Sequence, residues 1–120
     1  MKILGILGSL GLFLGVALGA FGAHFLRGHL SEEMQNVFET AVRYQMYHSI
    51  AIVLAAILVQ RNSLFMQAGI FYVIGILLFS GSLYALALTN MKALGIITPF
   101  GGLSFLIGHA VLLVGFLRTM

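Results

Sequence analysis

The chain contains no cysteine and no tryptophan. Without cysteine there is no disulfide, no thiolate nucleophile and no Cys-ligated metal. Without tryptophan, an aromatic belt at a membrane boundary would have to use Tyr44, Tyr47, Tyr72, Tyr84 and the phenylalanines. Aspartate is also missing: the acids are Glu32, Glu33 and Glu39. The paired aspartates of one class of intramembrane protease are therefore excluded. Charge of either sign is scarce, at 8% of 120 residues, where soluble domains carry about 25%.

What fills the chain is apolar. Hydrophobic residues make up 61%, and the mean hydropathy is +1.11. A soluble fold of this length could not hide that much apolar surface, since monomers tolerate exposed patches of only about a few hundred Å2. A bilayer is the solvent these side chains require. The net charge of +3 is scattered, so no nucleic-acid groove is expected.

A helix needs about 20 apolar residues to cross a hydrocarbon core of roughly 30 Å. The gaps between charges predict an all-α integral membrane four-helix bundle, one domain over 1–120. Helix one is expected over 3–26, helix two over 44–60, helix three over 64–91 and helix four over 97–117. The apolar run Ile3–Leu26 exceeds the roughly 7–15 residues of a signal-peptide core and reads as a retained helix. Ser31 reads as an N-cap, with Glu32 and Glu33 where the helix dipole favours acids. Met34, Val37, Phe38, Ala41 and Val42 recur at helical spacing, and Glu39 and Arg43 form an i,i+4 pair. The segment 31–43 is expected to be a short amphipathic helix between helices one and two; the alternative is the protruding first turns of helix two. Thr98 and Pro99 read as the N-cap and first position of helix four.

Four crossings put both termini on one side. Lys2, Arg61 and Arg118 then face Arg27, Arg43 and Lys92 across the bilayer. That tie leaves the positive-inside rule nothing to decide. The termini are assigned to the cytoplasmic side of the cell (inner) membrane.

Two glycine stripes stand out. Helix one carries Gly8, Gly11, Gly15 and Gly19; helix four carries Gly101, Gly108 and Gly115. Small residues let backbones approach closely in lipid. The stripes serve either packing within one bundle or association of copies.

Polar residues gather towards the end that holds the first and third loops. They are His24, Tyr44, Gln45, His48, Ser80, Ser82, Tyr84 and Thr98. The other half is nearly all aliphatic, with Gln67 and Tyr72 as exceptions. This predicts a polar vestibule open on one side and plugged on the other. Polar groups in lipid are costly and turn inward. Arg27 and Arg43 would flank its mouth as candidates for a lipid headgroup, because guanidinium pairs bidentately with phosphate. The alternatives are simple hydrogen bonding between helices, or a path for ions or protons.

His24 and His48 are expected at similar depth on neighbouring helices, a pairing that could hold haem iron. No further ligand accompanies them, so neither a haem nor a metal ion is expected. His109 falls near the middle of helix four, with a Ser or Tyr of helix three as its expected partner. Ser80-Gly81-Ser82 with His109 lacks a third, orienting group, so no enzyme activity is expected.

Four ordered blocks carry a resemblance. They are Gly19-Ala20-Phe21-Gly22-Ala23-His24; Thr40-Ala41-Val42-Arg43-Tyr44-Gln45 with His48; Phe79-Ser80-Gly81-Ser82-Leu83-Tyr84; and Thr98-Pro99-Phe100-Gly101-Gly102. They resemble the signature blocks of the domain-of-unknown-function 423 family, small bacterial membrane proteins with relatives similar to transmembrane protein 256. The resemblance implies a four-span membrane protein and no particular activity. The expected role is a small structural or accessory multi-pass membrane protein that binds membrane lipid, another membrane protein or a second copy of itself. The alternative is a transporter or channel component for a small solute or protons.

Overall fold

The computed structural model describes residues 2–119. Four of its helices are long and apolar enough to cross a membrane. Helix one is Lys2–Leu26, helix two Glu32–Leu58 and helix three Leu64–Thr89. Helix four follows a 3-10 turn, Lys92–Ile96, and runs Thr98–Thr119. Asn90, in the left-handed conformation at φ 58°, ends helix three, as a residue that tolerates that region can.

Helix two differs from expectation. The segment expected over 31–43 and the span expected over 44–60 form one unbroken helix, Glu32–Leu58, so the alternative reading, first turns of helix two, is the one observed. Ser31 caps it, accepting from the Met34 amide at 3.1 Å. Met34, Phe38 and Ala41 are buried in the bundle, with Met34 and Ala41 packed with Leu83 and Leu86. The apolar face expected on a membrane surface is core. Glu39 does not pair with Arg43 either: it binds Arg27 Nη2 at 3.0 Å, while Arg43 donates to Thr40 Oγ1 at 3.1 Å. The earlier start matters for the site. At about 1.5 Å per residue, Tyr44, Gln45 and His48 lie roughly 18–24 Å from the start of helix two, not at its mouth.

Both glycine stripes are seams within the chain. Gly11 faces Ser49, Gly15 faces Met46 and Gly19 faces Val42, so helices one and two run antiparallel. A Cβ on Gly8 would lie 2.7 Å from Val53 Cγ2. On helix four, Gly101, Gly108 and Gly115 receive Phe79, Tyr72 and Phe65 of helix three. Both sets repeat every seventh residue, in opposite directions. Each glycine opens the space that an aromatic residue or its backbone fills.

Two helices carry a π-helical turn, Gly22–Leu26 in helix one and Ile76–Ser80 in helix three. Such turns disturb the regular backbone ladder and favour functional positions. Gly22 oxygen accepts from the Gln35 amide, and Ser80 Oγ donates to Ala41 oxygen at 2.7 Å.

Candidate functional site

The central polar feature joins three helices. His48 Nδ1 lies 2.8 Å from the Tyr44 carbonyl oxygen. A carbonyl only accepts, so this nitrogen carries the proton. In a neutral ring His48 Nε2 is then the acceptor, and His109 Nε2, 3.1 Å away, donates to it. That leaves His109 Nδ1 to accept from the Tyr72 hydroxyl at 2.8 Å. The chain of bonds has one direction: Tyr72 to His109 to His48 to Tyr44. His48 is also stacked on Phe105, with ring centroids 3.5 Å apart and planes 8° from parallel. Beside it lies a groove of about 740 Å3 whose walls include Tyr44, Tyr47, Phe79 and Phe105. It opens on the flank between helices two and four, where Tyr47 and His109 are exposed.

A second polar knot joins helices one, two and three. The Tyr84 hydroxyl donates to Gln45 Oε1 at 2.6 Å, and Gln45 Nε2 donates to Gly11 oxygen at 2.8 Å. These residues and Ser80 border a cleft of about 320 Å3 whose other walls include Leu7, Leu10, Leu14 and Leu77. Ser82 Oγ donates to Phe79 oxygen at 3.0 Å, so Thr98 Oγ1, 2.6 Å away, donates to Ser82.

The expected single vestibule is therefore divided. Tyr44 and His48 border the groove on one flank; Gln45, Ser80 and Tyr84 border the cleft on another. His48 bonds to His109, Tyr84 to Gln45, and Gln45 and Ser80 to backbone oxygens of Gly11 and Ala41, so they face two separate openings and not one shared pool. His24 stands apart from His48, exposed on the last turn of helix one. The level of helix two beside that turn is Phe38, which packs on Gly22. The facing histidine of His48 is His109, because helix two starts earlier than its charges suggest.

Arg27 and Arg43 flank neither polar knot. They form a third site, a cleft of about 350 Å3 with Gly19, Ala23, Phe38, Glu39 and Val42 in its walls. An adjoining hollow of about 260 Å3 is shared through Arg27 and bordered by Glu32, Gln35 and Asn36. Gln35 was not expected here. It is only 5% exposed. Its Nε2 donates to Gly22 oxygen at 2.9 Å and to Glu39 Oε2 at 3.2 Å. Both partners are acceptors, which fixes the orientation of the amide. Among the described residues its Oε1 is buried without a partner. The signal was present: Gln35 stands three residues before Phe38, on the same face once helix two is continuous.

The model of the family described as "Protein of unknown function (DUF423)" matches residues 18–102. The chain is 44% identical over 115 residues to a UPF0382 membrane protein of Staphylococcus haemolyticus, covering 95% of this chain and 94% of that one. It is 40% identical over 123 residues to the UPF0382 membrane protein YwdK of Bacillus subtilis, covering 100% of both. It is 43% identical over 108 residues to the UPF0382 inner membrane protein YgdD of Escherichia coli K12, covering 88% and 82%. No solved structure matches. With four apolar helices and a family model matching most of its length, the chain belongs to the DUF423 family and is a membrane protein.

Proposed function

We propose that this is an accessory protein of the cell membrane that crosses it four times and binds a phospholipid by its headgroup, without catalysing a reaction. The observation that carries this reading is the cleft between helices one and two with two arginines in its walls. Among the described residues, Arg43 has only the Thr40 hydroxyl as its hydrogen-bond partner. Arg27 gives one nitrogen to Glu39 and keeps further donors. Two guanidinium groups can clamp a phosphate through paired N–H donors. The cleft runs beside the end of helix one and the first three turns of helix two. Phe21 and Phe25, stacked with centroids 5.6 Å apart, offer an exposed apolar surface nearby for an acyl chain.

Native mass spectrometry of the protein released from gentle detergent tests this. The expected result is retained phospholipid on the wild type and its loss in Arg27→Gln/Arg43→Gln. Equal retention by both would overturn the reading.

A second reading, a component that passes protons, is favoured by the chain Tyr72–His109–His48. Histidine is a usual member of intramembrane proton relays. Tyr72, however, is wholly buried, packed with Leu4, Ile52, Ala68 and Phe105. Proton flux into liposomes that disappears in His109→Leu would establish this second role; flux equal to empty liposomes would remove it.

A further inference from the structure

We propose that the groove between helices two and four binds a lipid-soluble quinone, whose ring carbonyls accept from the hydroxyls of Tyr44 and Tyr47. This site is separate from the arginine cleft and does not depend on it. The first observation is depth. Gln45 is the middle residue of helix two, Glu32–Leu58, and His109 stands at the middle of helix four, Thr98–Thr119. Tyr44, Tyr47, His48 and His109 border the groove, so its polar part lies midway along both spans. The second observation is an unmet need. The hydroxyls of Tyr72 and Tyr84 are bonded within the bundle, whereas those of Tyr44 and Tyr47 have no partner among the described residues. Tyr47 is 57% exposed and Tyr44 37%. A hydroxyl left unbonded in hydrocarbon is costly, and the bilayer core has no water to relieve it.

The occupant must carry a hydrogen-bond acceptor to mid-membrane. A phospholipid cannot: its ester carbonyls stay beside the headgroup, about 15 Å from the centre of a roughly 30 Å core. A second helix is a poor source, because its backbone carbonyls are spent on its own ladder. The ring nitrogens of His48 and His109 are taken by their own chain of bonds. A quinone meets the requirement. It has carbonyl oxygens on a flat ring, a hydrocarbon tail, and no charged head to hold it at the surface. The walls suit that ring. Tyr44, Phe79 and Phe105 form an aromatic run, with centroids 4.6 Å apart for Tyr44–Phe79 and 5.5 Å for Phe79–Phe105. Such rings favour offset or edge contact with another flat π system. Leu103 and Leu106, both exposed, give the tail an apolar edge towards lipid.

The test is titration of the full chain in detergent micelles with a short-tailed ubiquinone, against an alkylbenzene of matched tail that carries no carbonyl. Binding is read from the quenching of tyrosine fluorescence, which no tryptophan obscures. Hydrogen bonding is read from the infrared carbonyl stretch. The ubiquinone should bind saturably, its carbonyl stretch should move to lower frequency, and the alkylbenzene should not displace it. Tyr44→Phe and Tyr47→Phe keep both rings and remove the hydroxyls. Each should weaken binding about two- to tenfold, the range for one hydrogen bond. The wild-type arms need no variant to fold. Displacement by an equal concentration of alkylbenzene would make the groove an unselective apolar surface and overturn the assignment. Unchanged binding in both phenylalanine variants would overturn it too, as would the absence of saturable binding. A second copy in the groove is the last outcome. Because the chain has no native cysteine, oxidative cross-linking of Tyr47→Cys chains to one another in the membrane would reveal that copy and remove the quinone.

Discussion

Gly101 and Gly102 are adjacent on helix four, and alanine at each should have opposite effects. A Cβ at Gly101 would run into the backbone of helix three: it meets Phe79 N, lies 2.7 Å from Phe79 Cβ and 2.8 Å from Phe79 Cα. No side-chain rotation relieves contacts with backbone, so the two helices must move apart by several tenths of an ångström or more. Overpacking of this kind costs about 1–3 kcal/mol. The substitution also gains about 1 kcal/mol of intrinsic helix preference over glycine. The net expectation for Gly101→Ala is a loss of up to about 2 kcal/mol. At Gly102 the nearest atom to a Cβ is Phe79 Cδ2 at 3.9 Å, an ordinary contact. Gly102→Ala should therefore be neutral or stabilising by up to about 1 kcal/mol. Reversible unfolding in mixed micelles, followed by circular dichroism, measures both. The reasoning fails if Gly101→Ala is as stable as the wild type, or if the two variants lose stability equally.

Gly15→Leu should destabilise the seam of helices one and two by about 1–3 kcal/mol, because Met46 occupies the space; an unchanged melting temperature would remove that seam. Tyr84→Phe should cost about 0.6–2 kcal/mol by leaving Gln45 Oε1 without its donor; a value near zero in the same unfolding assay would show the bond to be idle. Reporter tags at the two ends should lie in the same compartment, as four crossings demand; opposite compartments would exclude that number.

Some of this was legible in the sequence and some was not, for identifiable reasons. The four helices follow from the apolar runs, and the glycine stripes from their spacing. A small residue every seventh position has few uses besides a close seam. Of the two readings of 31–43, the first turns of helix two is the one observed; placing the start of the span at Tyr44 takes Glu39 and Arg43 as marks of a water boundary. In the folded chain Glu39 is met by Arg27 and Gln35, and Arg43 by Thr40. The Arg27–Glu39 pair joins the end of helix one to helix two, while Gln35 and Thr40 bind from within helix two, so charged residues there do not end the helix. That one shift moved Tyr44, Gln45 and His48 inward and gave His48 a partner on helix four. Of the Ser or Tyr of helix three expected beside His109, the partner is Tyr72, because both residues stand in spans whose limits lie close to those expected.

The histidine pair supports a final prediction, which concerns protons rather than stability. The Tyr44 carbonyl fixes His48 as the Nδ1–H form, and His48 in turn fixes His109 as the Nε2–H form. When both rings are neutral they should thus be opposite tautomers, a hydrogen bond apart. Only one proton can occupy the 3.1 Å gap between the two Nε2 atoms. An added proton therefore has one place that breaks no ring-to-ring bond, His109 Nδ1, and taking it requires Tyr72 to change from donor to acceptor. Nitrogen-15 spectra of histidine-labelled protein should show one ring protonated only at Nδ1 and the other only at Nε2. His109→Leu should leave His48 protonated at Nδ1, because the Tyr44 carbonyl still accepts from that nitrogen. If both rings in the wild type carry their proton at Nε2, the Tyr44 carbonyl does not set the direction of the chain. The relay then loses the order that makes it a candidate for moving protons.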